Sequence, residues 1–585
     1  MATVSSKSFA AAAAWVRREE IGRGVRIETP FGRRLVCYAD LTATGRHLQL
    51  VEDWIRGARR FYANTHTEVS TTGRIMTELR ESARQVIRRA VNAGDDDEVV
   101  FVGSGATAAI NKLVGLLGLR VPEPLERAYE LSRAIPAKER PVVLVGPYEH
   151  HSNELPWLES IADVIEIDLD DHGAISLPAL QQRLDEYASR PHLIGSFSAA
   201  SNVTGVISDV GAIARVLHRA GARAFFDYAA AAPYVPIDMH PADPDERIDA
   251  LFLSPHKFIG GPEASGVLVA TRRLFRTRIP DRPGGGTVSY VAGPGREHVD
   301  YVGRLSEREE GGTPAILGDI RAAMGFLVKE TVGPQAILEH EIALAERAVE
   351  RLARHPRIRV LGPRYLPRLA IVPIDIEGLH HDLGSALLDH LFGIQNRAGC
   401  SCAGPYGHRL LGIDLAESAH FRALVRRGLD GIKPGWVRIS LPWYASDEEL
   451  DFILSAVEFV ASHAMEFVPL YRLGWRDGVW RHLERPDAAG TPLELSLEGL
   501  RAARAEAGAG ATEASITDEE LHSERKRYLV EAQELAGQLH ERWRKSPPAW
   551  NRPTGNAELD RLVWFRYVHT DVLEDGADGQ AVAKK

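Results

Sequence analysis

The chain has 585 residues, 44% hydrophobic and 26% charged, with a formal net charge of -10. That length exceeds one compact core and predicts several domains, and the acidic balance gives no electrostatic reason to expect nucleic acid. The three cysteines, Cys37, Cys400 and Cys402, are too few for a disulfide framework, so a reducing cytoplasm is expected; no apolar run reads as long enough to span a bilayer.

The first twenty residues hold an alanine run (Ala10–Ala14) broken by Trp15 and then by Arg17, Arg18, Glu19 and Glu20. The order of a secretory signal is missing, and the segment predicts a short amphipathic helix. From about Asp40 to about Gly318, apolar strand candidates alternate with amphipathic helices. The strands are Glu98–Val102, Pro141–Val145, Val164–Ile167, His192–Ser196, Ala222–Phe226, Ala250–Leu253 and Gly266–Ala270. Met76–Asn92 and Val210–Ala220 are among the helices. This alternation predicts an α/β domain with a mostly parallel sheet covered on both faces. Ligands bind such sheets at the carboxyl ends of the strands.

A smaller α+β domain is expected next. It takes helices at Ala336–Arg354, Leu383–Phe392 and Asp447–Ala461, and strands near Arg359–Leu361, Arg368–Pro373 and Trp436–Ser440. The segment before Tyr38 is expected to complete it. The last region, from Met465, reads as a C-terminal helical extension. A Gly/Ala linker (Ala502–Ala514) precedes a charged helix (Asp518–Lys545), and a polar tail (Glu574–Lys585) is expected to be disordered. The expected division is therefore 1–37, 38–331, 332–463 and 464–585. No internal repeat is evident.

Four motifs lie where the predicted strands end. Val99 to Asn111 reads strand, Gly103-Ser104-Gly105-Ala106-Thr107 turn, then helix. Backbone N–H groups at such a helix start, with the threonine hydroxyl, can cradle a phosphate; the Gly-Lys-Ser/Thr ending of a P-loop is absent. Glu149-His150-His151-Ser152-Asn153 follows the next strand. No carboxylate or third histidine sits at ligand spacing, so a metal is discounted and an imidazole stacked on a cofactor ring is preferred. The same reasoning takes His380-His381 as solvated. Asp227, after Ala224-Phe225-Phe226, can keep a pyridine nitrogen protonated or can simply cap a helix. Leu251-Phe252-Leu253-Ser254-Pro255-His256-Lys257, with Gly260-Gly261 after it, delivers a lysine able to form an imine with a carbonyl cofactor. Ser254 and His256 beside it can donate to a phosphate. The bland alternative is a surface lysine in a glycine-rich turn.

Taken together and in this order, the four motifs resemble the fold-type-I enzymes that use pyridoxal 5′-phosphate (PLP), and within them the class V aminotransferase and group II cysteine desulfurase-like family. The resemblance runs from about Tyr38 to Ala461. It implies that Lys257 binds the cofactor covalently, that Ser254, His256, Ala106 and Thr107 hold its phosphate, and that Asp227 partners the ring nitrogen. It further implies that His150 stacks on the ring and that Asn202 lies near cofactor and substrate. Thr313, in Glu310-Gly311-Gly312-Thr313-Pro314, would reach the neighbouring subunit's phosphate, which implies a homodimer. Arg438 would clamp the substrate carboxylate, a role suited to a planar bidentate donor. One departure stands out: the family's glutamine three residues after the aspartate is Ala230 here.

Asn396-Arg397-Ala398-Gly399-Cys400-Ser401-Cys402-Ala403-Gly404-Pro405 resembles the loop that carries the nucleophilic cysteine of group II desulfurases, with Cys402 at that position. Such a thiol must be exposed and partly ionised, which Arg397 would favour. Cys400 has no counterpart, and Cys37 reads as a small buried residue. The implied reaction removes sulfur from L-cysteine or a close analogue through a Cys402 persulfide, for transfer to a possible sulfur-acceptor protein. The alternatives within the family are a cysteine desulfhydrase or other lyase, and a biosynthetic aminotransferase, each using the PLP site without a persulfide. No metal, nucleic acid or membrane partner is expected.

Overall fold

A computed structural model describes residues 6–65, 67, 69–485, 495–508 and 516–571. The chain divides into two compact units. The first comprises Met1–Ile21, Leu41–Ala345 and Pro363–Ala370, and the second Gly22–Asp40, Glu346–Gly362 and Ile371–Lys585.

The first unit is built on a seven-stranded sheet. In chain order its strands are β1 (Asp97–Val102), β2 (Val142–Val145), β3 (Asp163–Glu166), β4 (Leu193–Ser198), β5 (Arg223–Asp227), β6 (Ala250–Leu253) and β7 (Gly266–Thr271). Their spatial order is β1-β7-β6-β5-β4-β2-β3. The ladders from β6 through to β3 are parallel, while β7 runs antiparallel to both β1 and β6. Most of these strands are buried on both faces, which is why they read as unbroken Val, Leu, Ile and Phe runs rather than as alternation. Helices α1 (Gly105–Leu116), α2 (His151–Leu158) and α3 (Val210–Arg219) follow β1, β2 and β4. Ala109, Ile110 and Leu113 of α1 and Trp157 of α2 join one core with Val143, Phe225 and Phe252. Asp209 starts α3 by accepting from Ala212 N at 2.9 Å, the usual use of an acid at a helix N-terminus. Because crossovers return to the same edge, the carboxyl ends of β1, β2, β4, β5 and β6 gather at one rim.

The second unit carries a four-stranded sheet. Its strands are β8 (Ile358–Val360), β9 (Ile371–Ile376), β10 (Arg397–Gly399) and β11 (Trp436–Ser440), in the spatial order β8-β9-β11-β10 and all antiparallel. Helices α4 (His381–Phe392), α5 (Asp447–Phe467) and α6 (Asp518–Lys545) belong to it. By length and composition, the segment Asp447–Leu470 is apolar enough to cross a membrane, contrary to the sequence expectation, although 61% of its most apolar window is buried within the protein.

The charged helix α6 spans the range expected, and its capping box (Thr517 and Glu520) fixes its start. Leu521, Tyr528, Ala532, Ala536 and Leu539 give it a buried stripe. Arg525 Nη1 meets Glu449 Oε1 of α5 at 2.9 Å, and Arg23 Nη2 meets Glu449 Oε2 at 2.9 Å. This helix is therefore part of the second unit's core. The alanine-rich stretch before it is helical up to Gly508; the remainder of the expected linker and the expected tail lie outside the described residues.

Candidate active site

The cradle forms where β1 turns into α1. Gly105 adopts φ +56°, a conformation that suits glycine. A Cβ there would stand 2.7 Å from Ser254 Oγ and 3.6 Å from His256 Nε2. Ala106 N donates to Ser254 Oγ at 2.9 Å, which ties the helix start to the turn after β6 and leaves the serine proton to donate elsewhere. Thr107 is exposed, and its Oγ1 lies 2.6 Å from Ser152 Oγ at the start of α2. Around this turn lies a cavity of about 790 Å³, lined by Gly103, Ser104, Thr107, His256 and Ser265 among others. The His256 imidazole lies 3.3 Å from Thr44 Oγ1 through Nδ1. Burial, and after it the Lys257 charge, brings its pKa down to about 4, so the ring is neutral at physiological pH.

Asp227 ends β5 and is 4% exposed. Its Oδ1 accepts from Ala229 N at 2.8 Å. Burial raises its pKa, while that hydrogen bond and the Lys257 ammonium pull it down. Lys257 closes the 3-10 turn Pro255–Lys257 after β6, and its charge acts on both Asp227 and His256. A buried carboxylate of this kind is costly unless a cation meets it. Asn202 is buried on the turn after β4, and Ala230, in the place of the family glutamine, is 6% exposed. His150 caps α2, its Nδ1 accepting from Ser152 N at 3.1 Å. That bond fixes the ring's tautomer and orientation and gives the histidine a structural duty that the sequence did not announce.

Thr313 is exposed, and Asn64 Nδ2 donates to its Oγ1 at 3.3 Å. The segment is anchored by Glu310, which sequence reasoning missed as an anchor. Its carboxylate accepts from Phe101 N at 2.7 Å and Arg84 Nη1 at 2.9 Å, and pairs with Arg80. Burial pushes Glu310 up, but Arg84 and Arg80 outweigh it and hold it below the usual range.

In the second unit, Arg438 is 3% exposed on β11 and faces Arg397 of β10 in register. Asp40 joins the two: Arg438 Nη2 donates to Oδ1 at 2.8 Å and Arg397 Nε to Oδ2 at 3.2 Å. Two guanidiniums on one carboxylate leave a net positive patch. Asp40 gave no sequence signal of its own. Beyond β10, Cys400 and Cys402 are both exposed. Ser401 (φ 51°) and Cys402 (φ 57°) lie consecutively in the left-handed region, which costs a non-glycine residue about 1 kcal/mol or more each. Cys37 is buried, as expected.

His380 and His381 are not solvated: they are 1% and 6% exposed. With Asp382 they form a compact trio. His380 Nε2 bonds Gly431 O at 3.2 Å, its Nδ1 caps α4 by accepting from Asp382 N at 3.1 Å, and His381 Nε2 bonds Lys433 O at 3.0 Å. His381 Nδ1 lies 3.1 Å from Asp382 Oδ1. His380 caps α4 and packs against Trp480, Trp564 and Phe565.

A doubly wound sheet with a lysine turn, an acid and a glycine cradle on its carboxyl rim defines a fold-type-I α/β protein. The family model described as aminotransferase class-V matches residues 37–453. The chain belongs to the class V aminotransferase family. A relative from Halalkalibacterium halodurans, named a probable cysteine desulfurase, is 30% identical over 418 residues, covering 68% of this chain and 92% of that protein. Another of the same name, from Streptomyces coelicolor, is 28% identical over 436 residues, covering 73% and 93%. The apo structure of a cysteine desulfurase from Thermococcus onnurineus superposes with a TM-score of 0.59 at 26% identity, covering 73% of this chain and 95% of that one.

Proposed function

We propose that the chain is a PLP-dependent cysteine desulfurase-like enzyme that takes sulfur from L-cysteine, or a close analogue, onto Cys402. The observation that carries the reading is the buried Asp227 at the end of β5, beside the strand β6 that leads into the Lys257 turn, on the same rim as the Gly105–Ser254 cradle. The donor set fits PLP. The N–H groups at the start of α1, with Ser254, His256 and Thr107, suit a phosphate, and Asp227 suits a protonated pyridine nitrogen. Lys257 is the amine that would bind the aldehyde, with His150 over the ring and Asn202 beside it. When bound, PLP supplies an electron sink at the amino-bearing carbon of the substrate.

The chain's own residues do the rest. Arg438, with Arg397, binds the substrate carboxylate. Lys257 moves the proton at the substrate carbon. The Cys402 thiolate attacks the substrate sulfur, an S–S bond forms, the C–S bond breaks, and the carbon takes up a proton. Cysteine and the enzyme thiol thereby become alanine and a Cys402 persulfide, which passes to an acceptor. The exposure of Cys402 on a left-handed turn supports this role, because a transferring thiol must reach two partners in succession. The exposed Thr313 segment supports a homodimer, and the cysteine usage supports a cytoplasmic setting.

The test mixes PLP-loaded protein with L-cysteine and follows alanine, pyruvate and sulfide together. Alanine without pyruvate is expected. Pyruvate with sulfide would assign a lyase instead.

A further inference from the structure

Behind the cofactor rim lies a carboxyl group that the proposed reaction does not use. Glu149 is 5% exposed and begins the turn from β2 into α2. Its Oε1 accepts from Gly146 N at 3.2 Å and from Ser198 N at 2.9 Å. Its Oε2 accepts from Asn153 Nδ2 at 2.7 Å and from Ser198 Oγ at 2.6 Å. Three chain segments thus converge on one side chain: the end of β2, the first turn of α2 and the end of β4. The turn is shaped around it, since a Cβ on Gly146 would stand 2.5 Å from Glu149 Oε1.

Two details make this more than a structural clasp. Three of the four partners are N–H groups, which only donate, and the fourth is the Ser198 hydroxyl, which can donate or accept, so the site favours a group that accepts on both oxygens, as the ionised carboxylate does. An amide of the same shape would turn its NH₂ toward an N–H donor either way round, toward Asn153 Nδ2 in one orientation and toward Gly146 N and Ser198 N in the other. Moreover, Ser198, which holds both carboxylate oxygens, is the register partner of Asp227 across β4 and β5. Glu149 therefore lies one strand away from the acid assigned to the pyridine nitrogen, and the charge of Asp227 acts on it. On its other side it is bonded in sequence to His150.

We infer that Glu149 is a positioning residue of the cofactor site: it fixes the turn that presents His150 and keeps a second negative charge behind Asp227, which strengthens the hold of the Asp227–pyridine pair on its proton. This rests on the reading of Asp227 as the pyridine partner, but not on any step of sulfur chemistry. Burial works against the anion and raises the carboxyl to about 7, with the Ser198 and Asn153 hydrogen bonds opposing that rise. The charge is thus present above neutral pH and is lost below it. Of the other titratable groups, Asp227 from β5 acts on Glu149, Lys257 from the turn after β6 acts in turn on Asp227 and His256, and Tyr148 and His150 flank Glu149 in sequence.

The experiment is a pH titration, above pH 7, of the visible absorption band of the PLP-loaded protein, with wild type, Glu149→Gln and the exchange Glu149→Gln/Asn153→Asp. The exchange moves the charge to the hydrogen-bonded neighbour. The Gln variant is expected to lower the midpoint of the band by roughly half to one pH unit, because a negative charge that held the proton is gone. The exchange is expected to bring the midpoint back toward wild type. Thermal unfolding of the apo proteins is recorded beside it, so that a loss of packing is read separately. A midpoint unmoved in a folded Gln variant overturns the inference, and so does a failure of both variants to fold, which would assign Glu149 to the fold alone. If the Gln variant alone fails to fold, the exchange variant decides, with a near-wild-type midpoint supporting the inference and a lowered one overturning it. A wild-type protein that takes up PLP without any visible band would instead sink the underlying reading of Lys257 and Asp227.

Discussion

Asp227 and Cys402 mark the two extremes of this molecule's chemistry. Asp227 ends a strand buried on both faces, is 4% exposed, and accepts a backbone hydrogen bond at 2.8 Å. Cys402 sits exposed on a turn with two successive left-handed residues. The first environment holds a charge in one place and makes it responsive to its neighbours, because low polarity amplifies every nearby charge. The second leaves a nucleophile accessible and its loop under strain. A cofactor needs the first, and a thiol that hands its cargo onward needs the second. The comparison predicts that substitutions at the strand ends act on cofactor chemistry, while substitutions in the loop act on sulfur transfer and leave the cofactor alone.

The sharpest break is Lys257→Ala. The covalent link to PLP should vanish, seen as loss of a borohydride-reducible linkage by mass spectrometry, and turnover should fall by about a thousandfold or more. A reducible linkage that persists would place the cofactor on another lysine. Next is Cys402→Ser, which should stop alanine formation while the Lys257 linkage and cysteine binding survive. Cys400→Ser should keep the first turnover. Wild-type turnover in Cys402→Ser would remove the persulfide from the reaction and favour the lyase or aminotransferase reading.

A middling effect is expected at Asp40, which aligns Arg397 and Arg438. Asp40→Ala should free two guanidiniums from their common partner and loosen their aim. KM for cysteine should rise about tenfold with a smaller change in kcat, since what is lost is positioning for binding. An equal fall of kcat with KM unchanged would mean that Asp40 acts in the transition state instead.

The contrast between these sites also explains what could be read from the sequence. The expected strand Ala250–Leu253, the strand Trp436–Ser440 and the helix Asp518–Lys545 coincide with the observed elements. Each is specified locally, by a short apolar run or by a capping box followed by charged periodicity. Lys257, Asp227 and the Gly105 turn were legible because each follows such a strand at its carboxyl end. Glu149, Glu310 and Asp40 were not, because their partners are remote: Arg438 is 398 residues from Asp40, and Ser198 is 49 from Glu149. A lone carboxylate carries no period and no spacing. His380 and His381 misled for the same reason. A pair of histidines reads as polar, and only the loop around Gly431 and Lys433 reveals that they are buried and bonded to backbone carbonyls.

The smallest effect on activity, and the cleanest test of burial by itself, belongs to Glu341 in the first unit. Like Asp227 it is a buried carboxyl, 1% exposed, but among the described residues its Oε2 accepts from Ala370 N at 2.8 Å and its Oε1 has no hydrogen-bond partner. Burial raises its pKa to about 8, with the Ala370 bond opposing the rise. The folded protein therefore keeps this proton across a range in which the unfolded chain, with an ordinary glutamate, has already released it. Between about pH 4.5 and about pH 8 the native state binds more protons than the unfolded one, so this group's contribution to stability falls as pH rises. Below that range the contribution is whole, and above it the loss is complete. Glu341→Gln keeps the shape and cannot ionise, so its stability should stay flatter over the same interval, by about a few kcal/mol at the alkaline end. Denaturant midpoints for both proteins at pH 5, 6.5 and 8 read this directly. Curves that run parallel from acid to alkaline would show that the folded protein releases the Glu341 proton as readily as the unfolded chain does, and burial would then not be what sets this group's charge.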